Sequence, residues 1–193
     1  MSDIMMPKIT VRDFDDESIQ KNIDALIEIS FNFPKDQVIL IEVDSYGGSV
    51  LNLIRLLEHL KTMPHQICTY CSSKAMSAGL MLLMIGGTKG MRIVTPNAQL
   101  MLHEIQSMSG GDIKDMEDAM KFSKNINNIV LNLAAKSMGL KNAAAIRKMI
   151  KEKASGHDFY ITAKKAKELS MVDEVGYLSM YPIRQFIMEV VKA

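Results

Sequence analysis

Residues 38–43 read Val-Ile-Leu-Ile-Glu-Val, a β-branched and almost unbroken apolar run that stops at Asp44-Ser45-Tyr46-Gly47-Gly48. A strand with one wet face alternates apolar and polar residues. A strand apolar on both faces needs cover on both, which is the condition of a parallel sheet between helices. Parallel neighbours in turn require crossover connections, so helices are expected on either side of this run. They are legible: Asp16 to Phe31 carries Ile19, Ile23, Leu26 and Ile27 at helical spacing, and Ser49 to Lys61 is a second helix ended by Pro64.

The alternation continues. Gln66 to Tyr70 reads as a strand, followed by a turn and an apolar helix that opens near Ser77 and stops at Gly86-Gly87. Met91 to Val94 and Gln99 to His103 read as further strands. This grammar predicts an α/β fold with a mostly parallel sheet. Beyond Gly110-Gly111, Asp112 can cap a long helix running towards Met138, with Ile113, Met116, Met120, Ile129, Val130 and Leu133 on an apolar stripe. Such a helix reaches about 40 Å, more than a compact domain of this size needs, so contact with another subunit is the natural reading. A helix lying flat across the sheet is the alternative. Shorter helices fit Ala143 to Lys153 and Ala163 to Ser170, and the tail from Tyr181 to Val191 also reads as helical.

Bulk properties exclude several classes. The 193 residues suit one domain, and a net charge of +1 gives no reason to expect a nucleic-acid partner. The first residues hold no apolar run suited to a signal peptide. The longest such stretch, Leu80 to Ile85, is far shorter than the roughly 20 residues that span a bilayer. A cytoplasmic location is expected. Cys68 and Cys71 form a lone C-x-x-C. On a strand, positions i and i+3 point to opposite faces, so buried thiols are expected there, ahead of a redox pair or half a zinc site.

Amide hydrolysis needs a nucleophile, a base and a pair of oxyanion donors. Of the four histidines, His59 sits among Arg55, Glu58 and Lys61, and His65 follows Pro64 in a connection; both read as solvated. His103 ends an apolar strand, where active residues of α/β sheets gather. Read alone, it is equally well a packed structural histidine. Ser77 lies between small residues at the mouth of a helix, in Lys74-Ala75-Met76-Ser77-Ala78-Gly79. That setting suits a sharp turn exposing Oγ, or an ordinary helix cap. Gly47-Gly48 follows a buried strand and offers close backbone approach to a ligand, or only a tight turn.

Taken in order, these segments resemble one family. Asp44 to Val50 is similar to the glycine motif of the ClpP-like serine peptidases, the proteolytic subunits of ATP-dependent Clp protease. Ala75-Met76-Ser77-Ala78-Gly79 with Leu82-Leu83 resembles their nucleophile segment, Pro96 to His103 their histidine strand, and His157 to Ala163 the stretch carrying the acid. The likeness runs from about Lys8 to Val175. It implies a ClpP/crotonase-like fold of repeated β-β-α units in a single domain over 1–193. The head would take about 8–106 and 154–178, a protruding "handle" about 107–153, and a tail 179–193. It also implies Ser77 as nucleophile, His103 as base and Asp158 as the acid orienting it. Backbone N–H groups of Gly47 and Ala78 would form the oxyanion hole. Gly48, Ser49 and Val50 on one side, with Gly110 and Gly111 on the other, would bind substrate as an added strand. The implied assembly is a homo-oligomer of stacked heptameric rings acting on peptides or unfolded proteins. An AAA+ unfoldase of the ClpX or ClpA type would use the ATP; no metal or organic cofactor is implied.

The chain also departs from the family pattern. Tyr46 stands where proline is usual, Glu104-Ile105 replaces Gln-Pro after the histidine, and little precedes Lys8, so the loops that contact the unfoldase are expected to be reduced. Other readings are a phage-type prohead-maturation peptidase, a signal-peptide-peptidase-like enzyme using a Ser–Lys dyad with Lys74, and a non-catalytic ring subunit. A crotonase-type acyl-CoA enzyme shares the fold class but would use a different residue set.

Overall fold

The structure, a computed structural model, describes residues 6–104, 112–153, 158–179 and 189–192. Its main sheet has six strands in the order β1 (Lys8–Val11), β2 (Ile39–Val43), β3 (Ile67–Cys71), β5 (Arg92–Val94), β8 (Glu174–Ser179) and β9 (Glu189–Lys192). The first five are mutually parallel and β9 closes the edge antiparallel to β8. A second sheet of three strands joins β4 (Lys74–Met76), β6 (Gln99–Leu102) and β7 (Phe159–Ile161). The apolar run that opened the sequence reading is β2, flanked on both sides by parallel partners and buried at Ile39, Leu40, Ile41 and Val43.

Helices α1 (Asp16–Asn32) and α2 (Val50–Thr62) are the expected crossovers. Asp15 caps the first, accepting the Ser18 N–H at 2.8 Å, and Ser49 caps the second. Helix α3 (Ala78–Gly86) lies in the middle of the molecule, buried from Ala78 to Met84, which is why its sequence is apolar all round. Its Leu80 and Leu83 belong to the main core together with Ile19 of α1 and Leu53 and Leu56 of α2. On the other face of the sheet, Leu40, Cys68 and Ile93 form a small separate cluster. Cys71 belongs to the main core, so the two cysteines face opposite ways, as strand geometry requires. Both are free, and burial pushes each thiol up to about 12. Among the described residues no helix is long and apolar enough to cross a membrane.

One buried ion pair ties the interior strands β5 and β8 to the helical layer. The Arg92 side chain, 4% exposed, meets Asp173 through Nε (2.8 Å) and Nη2 (2.6 Å), and its Nη1 donates to the carbonyls of Met84 and Ser137. Burial by itself would raise the Asp173 carboxyl. The hydrogen bonds and charge of Arg92, with the Gly90 N–H, outweigh it and hold the group below its ordinary value. A depressed carboxyl stabilises the fold above its unfolded pKa of about 3.9 and loses that contribution as pH falls through the folded value. Asp173→Asn should therefore cost on the order of 3 kcal/mol at pH 7 and flatten the acid limb of stability below about pH 4. Urea unfolding at stepped pH reads both, and an unchanged acid limb in the variant would remove Asp173 from the account.

Helix α4 (Ile113–Ser137) has the expected bounds, with Asp112 accepting the N–H groups of Lys114 and Asp115, both at 2.9 Å. Its 25 residues span about 37 Å. Burial begins only at Ile126; before it, Ile113, Met116, Met120 and Phe122 are exposed. Its C-terminal half packs on α3 and on α5 (Ala143–Lys153). Helix α6 (Ala163–Glu168) is shorter than the sequence suggests.

Four expectations need correction. Lys74–Met76 is a strand rather than a turn, because its backbone finds partners in β6 and in Ser45, distant in sequence. His65 is 6% exposed rather than solvated; the connection after α2 folds back and sets its Nε2 3.3 Å from the Phe33 carbonyl at the end of α1. Ile27 faces solvent, and Ile29 takes the inward place on α1. Residues 189–191 of the tail are strand rather than helix, since β8 offers an open edge on which Val191 pairs with Tyr177. Residues 181–188 lie outside the described residues.

Candidate active site

Two chain reversals build the site. The first leaves β2 at Asp44 and passes through Gly47 (φ +108°) and Gly48 (φ +143°), in the backbone region that L side chains rarely adopt. A side chain at Gly47 would also meet Ser77 Cβ at 2.7 Å and the Met76 carbonyl at 3.0 Å, so glycine is required on both counts. The second reversal leaves β4 at Ser77, whose φ of +52° and ψ of −120° form a sharp strand-to-helix turn. A serine in this strained conformation persists only because its surroundings over-determine it. The Ser77 N–H donates to Met101 on β6 at 2.9 Å, and its carbonyl accepts the Met81 N–H at 3.1 Å.

Ser77 stands at the cap position of α3, yet its hydroxyl makes no capping bond. Instead Oγ lies 2.7 Å from Nε2 of His103, at the end of β6. That is the distance of a hydrogen bond in which the hydroxyl donates to an unprotonated Nε2. The parallel pairing of β4 with β6 in the register Met76↔Met101 puts the two residues side by side. Asp158 precedes β7, the other neighbour of β6, and comes within 3.7 Å of His103 Nδ1. The distance exceeds a hydrogen bond, and among the described residues the buried Nδ1 has no hydrogen-bond partner. A shift of less than about 1 Å would close that gap.

Ala78 opens α3, so its N–H is one of the four that have no intrahelical partner and sit at the positive end of the helix. Gly47 lies beside it; a Cβ there would stand 3.2 Å from Ala78 N. The Gly47 N–H itself donates to Ser45 Oγ at 3.0 Å, so it serves an oxyanion only by sharing or exchanging that bond. Gly48 bridges to Phe14, and Ser49 is the cap of α2, accepting the Asn52 N–H. Gly110 and Gly111 lie outside the described residues.

A cavity of about 150 Å³ adjoins Ser77 and His103, walled by Gly48, Val50, Leu53, Ala78, Met81, Asn127 and Val130. Asn127 and Val130 come from α4, and sequence reasoning missed Asn127 altogether. Its signal was a polar residue three places before Val130 on the face that proves to be buried. Asn127 Nδ2 donates to Glu104 Oε2 at 2.6 Å, and Arg147 Nε on α5 donates to the same oxygen at 2.9 Å. The residue after His103 is thus tied to both helices.

Lys74, the base of the alternative dyad, is committed elsewhere. Its Nζ bonds Asp44 Oδ1 at 2.6 Å and lies 4.7 Å from the centroid of the Tyr46 ring. The hydrogen bond and charge of Asp44 hold the ammonium above its ordinary value, and Asp44 is lowered by the same bond. A lysine held charged is a poor acceptor for a serine proton.

A family model described as Clp protease matches residues 7–178. The chain belongs to the Clp protease family. It is 28% identical over 137 residues to a protein named ATP-dependent Clp protease proteolytic subunit 1 from Rhodopirellula baltica. That alignment takes in 69% of this chain and 56% of the relative, so the match spans little more than half the relative's length.

Proposed function

We propose that the chain is a serine-type endopeptidase with Ser77 as nucleophile, His103 as base and Asp158 as the acid that orients it. The observation that carries the reading is the 2.7 Å contact between Ser77 Oγ and His103 Nε2, made by a serine in a strained turn that forgoes its capping bond. Family membership supports it, as does the name of the Rhodopirellula baltica relative, a Clp protease proteolytic subunit. In this mechanism His103 takes the hydroxyl proton as Oγ bonds to the scissile carbonyl carbon, and returns it to the amine as the C–N bond breaks. Water then enters with the same base and releases the acid. The N–H groups of Ala78 and Gly47 hold the oxyanion, and Gly48 to Val50, with Gly110 and Gly111, hold the peptide. The apolar cavity beside Ser77 takes a substrate side chain. The head residues, about 8–106 and 154–178, carry the chemistry. The exposed apolar half of α4, in the handle of about 107–153, is covered by other subunits of a ring assembly, fed by an AAA+ unfoldase in the cytoplasm and needing no cofactor of its own.

A second reading, a ring subunit without turnover, draws on the 3.7 Å gap between His103 and Asp158 and on the engaged Gly47 N–H. Intact mass after exposure to a fluorophosphonate separates the two. The expected result is a single adduct on the wild-type protein and none on Ser77→Ala. A folded wild type that stays unlabelled would leave the non-catalytic reading standing.

A further inference from the structure

The two segments that carry the site, 44–48 and 74–78, meet in a short backbone bridge. The Ser45 N–H donates to Lys74 O and the Met76 N–H to Ser45 O, both at 3.0 Å. Beyond the bridge, Tyr46 and Gly47 leave the ladder, and the turn must hold Gly47 against Ser77 through a glycine whose backbone is intrinsically free. Proline at position 46 would stiffen this approach covalently, by locking φ. Tyrosine does not. What stands here instead is an ammonium. Lys74 Nζ grips Asp44 before the turn at 2.6 Å and lies under the Tyr46 ring within it at 4.7 Å, inside cation–π range. Arg12 adds a looser contact to the other Asp44 oxygen at 3.9 Å. The lysine is only 22% exposed although its partner ring is 73% exposed, so the ring and the carboxylate cover it.

We propose that Lys74, through Asp44 and Tyr46, is a positioning residue that holds the Gly47 turn against Ser77 and so sets the geometry of the oxyanion site. The proposal rests on the serine-peptidase reading above. Lys74 opens β4, the strand that leads directly into Ser77, so the brace ties the nucleophile's own segment to the turn that faces it. It acts without touching substrate.

The test is the second-order rate of fluorophosphonate labelling at Ser77, measured beside thermal unfolding. Lys74→Met should label about 10- to 100-fold more slowly, the scale on which small misplacements cost rate. Lys74→Arg should keep most of the wild-type rate, because a guanidinium also pairs with a carboxylate and stacks on a ring. Tyr46→Pro placed in the Lys74→Met background should recover most of the loss by stiffening the turn covalently. Tyr46→Ala, at an exposed position that leaves folding intact, should slow labelling several-fold by removing half the brace. Wild-type labelling rates in folded Lys74→Met or Tyr46→Ala would overturn the proposal while leaving the peptidase reading in place. So would a slow Lys74→Met that Tyr46→Pro fails to rescue and whose melting temperature falls in step. An unlabelled wild type sinks the peptidase reading and the brace with it.

Discussion

His103→Ala is expected to abolish peptide hydrolysis, by roughly a million-fold in kcat, the scale seen when one member of a cooperating serine–histidine unit is removed. The size follows from interdependence. Without Nε2 at 2.7 Å, Ser77 Oγ keeps its proton and is a weak nucleophile, so losing the base costs nearly as much as losing both residues. Folding should survive, because the ring is partly exposed and its Nδ1 makes no hydrogen bond among the described residues. Steady-state turnover of a fluorogenic peptide, with circular dichroism as the folding control, checks both halves. Loss below about 100-fold would mean that another group takes the proton, since a positioned base contributes about that much or more. Asp158→Asn should cost less than His103→Ala, because the carboxylate stands 3.7 Å away and 38% exposed, outside hydrogen-bond range.

Gly47→Ala is the second large effect. The new methyl would stand 2.7 Å from Ser77 Cβ and 3.0 Å from the Met76 carbonyl, in a backbone conformation already costly for alanine. Neither neighbour can give way, since one is the Cβ of Ser77, fixed by its strained turn, and the other is backbone. Activity should fall by about 100-fold or more as the oxyanion frame moves off Ser77, and stability by on the order of 1 to 3 kcal/mol. Gly90→Ala supplies the control. Its φ of +91° imposes comparable conformational strain, but a Cβ there meets nothing within 4 Å. It should destabilise without touching turnover. Equal activity in the two variants would show that the Gly47 turn is not part of the reacting frame.

Much of the architecture was legible because it rests on short-range chemistry. Asp112 names the start of α4 through bonds to the amides two and three residues on, and helical spacing marks α1 and α2, whose caps Asp15 and Ser49 work in the same local way. The apolar run of β2 carries its burial on both faces in its composition. Opposite facing of Cys68 and Cys71 follows from strand parity. The errors share another cause. Lys74–Met76, three residues long, has too little length to show a period, and its strand character comes from partners at Ser45 and on β6. The burial of His65 depends on where Phe33 lies, thirty-two residues away. The tail residues 189–191 carry a pattern that suits either period, and the open edge of β8 decides for strand.

The site divides the same way. Ser77, His103 and Asp158 were singled out by motif, and Gly47-Gly48 by a glycine pair after a buried strand. Sequence alone could determine that these residue types recur in an order similar to one family. Only the tertiary structure decides that the register Met76↔Met101 lays Ser77 against His103, that Asp158 stops 3.7 Å short of the imidazole, and that the Gly47 amide is turned to Ser45. It also brings in Asn127 and Val130 from α4 as walls of the cavity, and Lys74 as a partner of Asp44 and Tyr46. The physical reason is distance along the chain. Caps, strand parity and helical stripes are set by neighbours a few residues apart, whereas hydrogen bonds between side chains 26 or 30 residues apart exist only once the sheet has set its register.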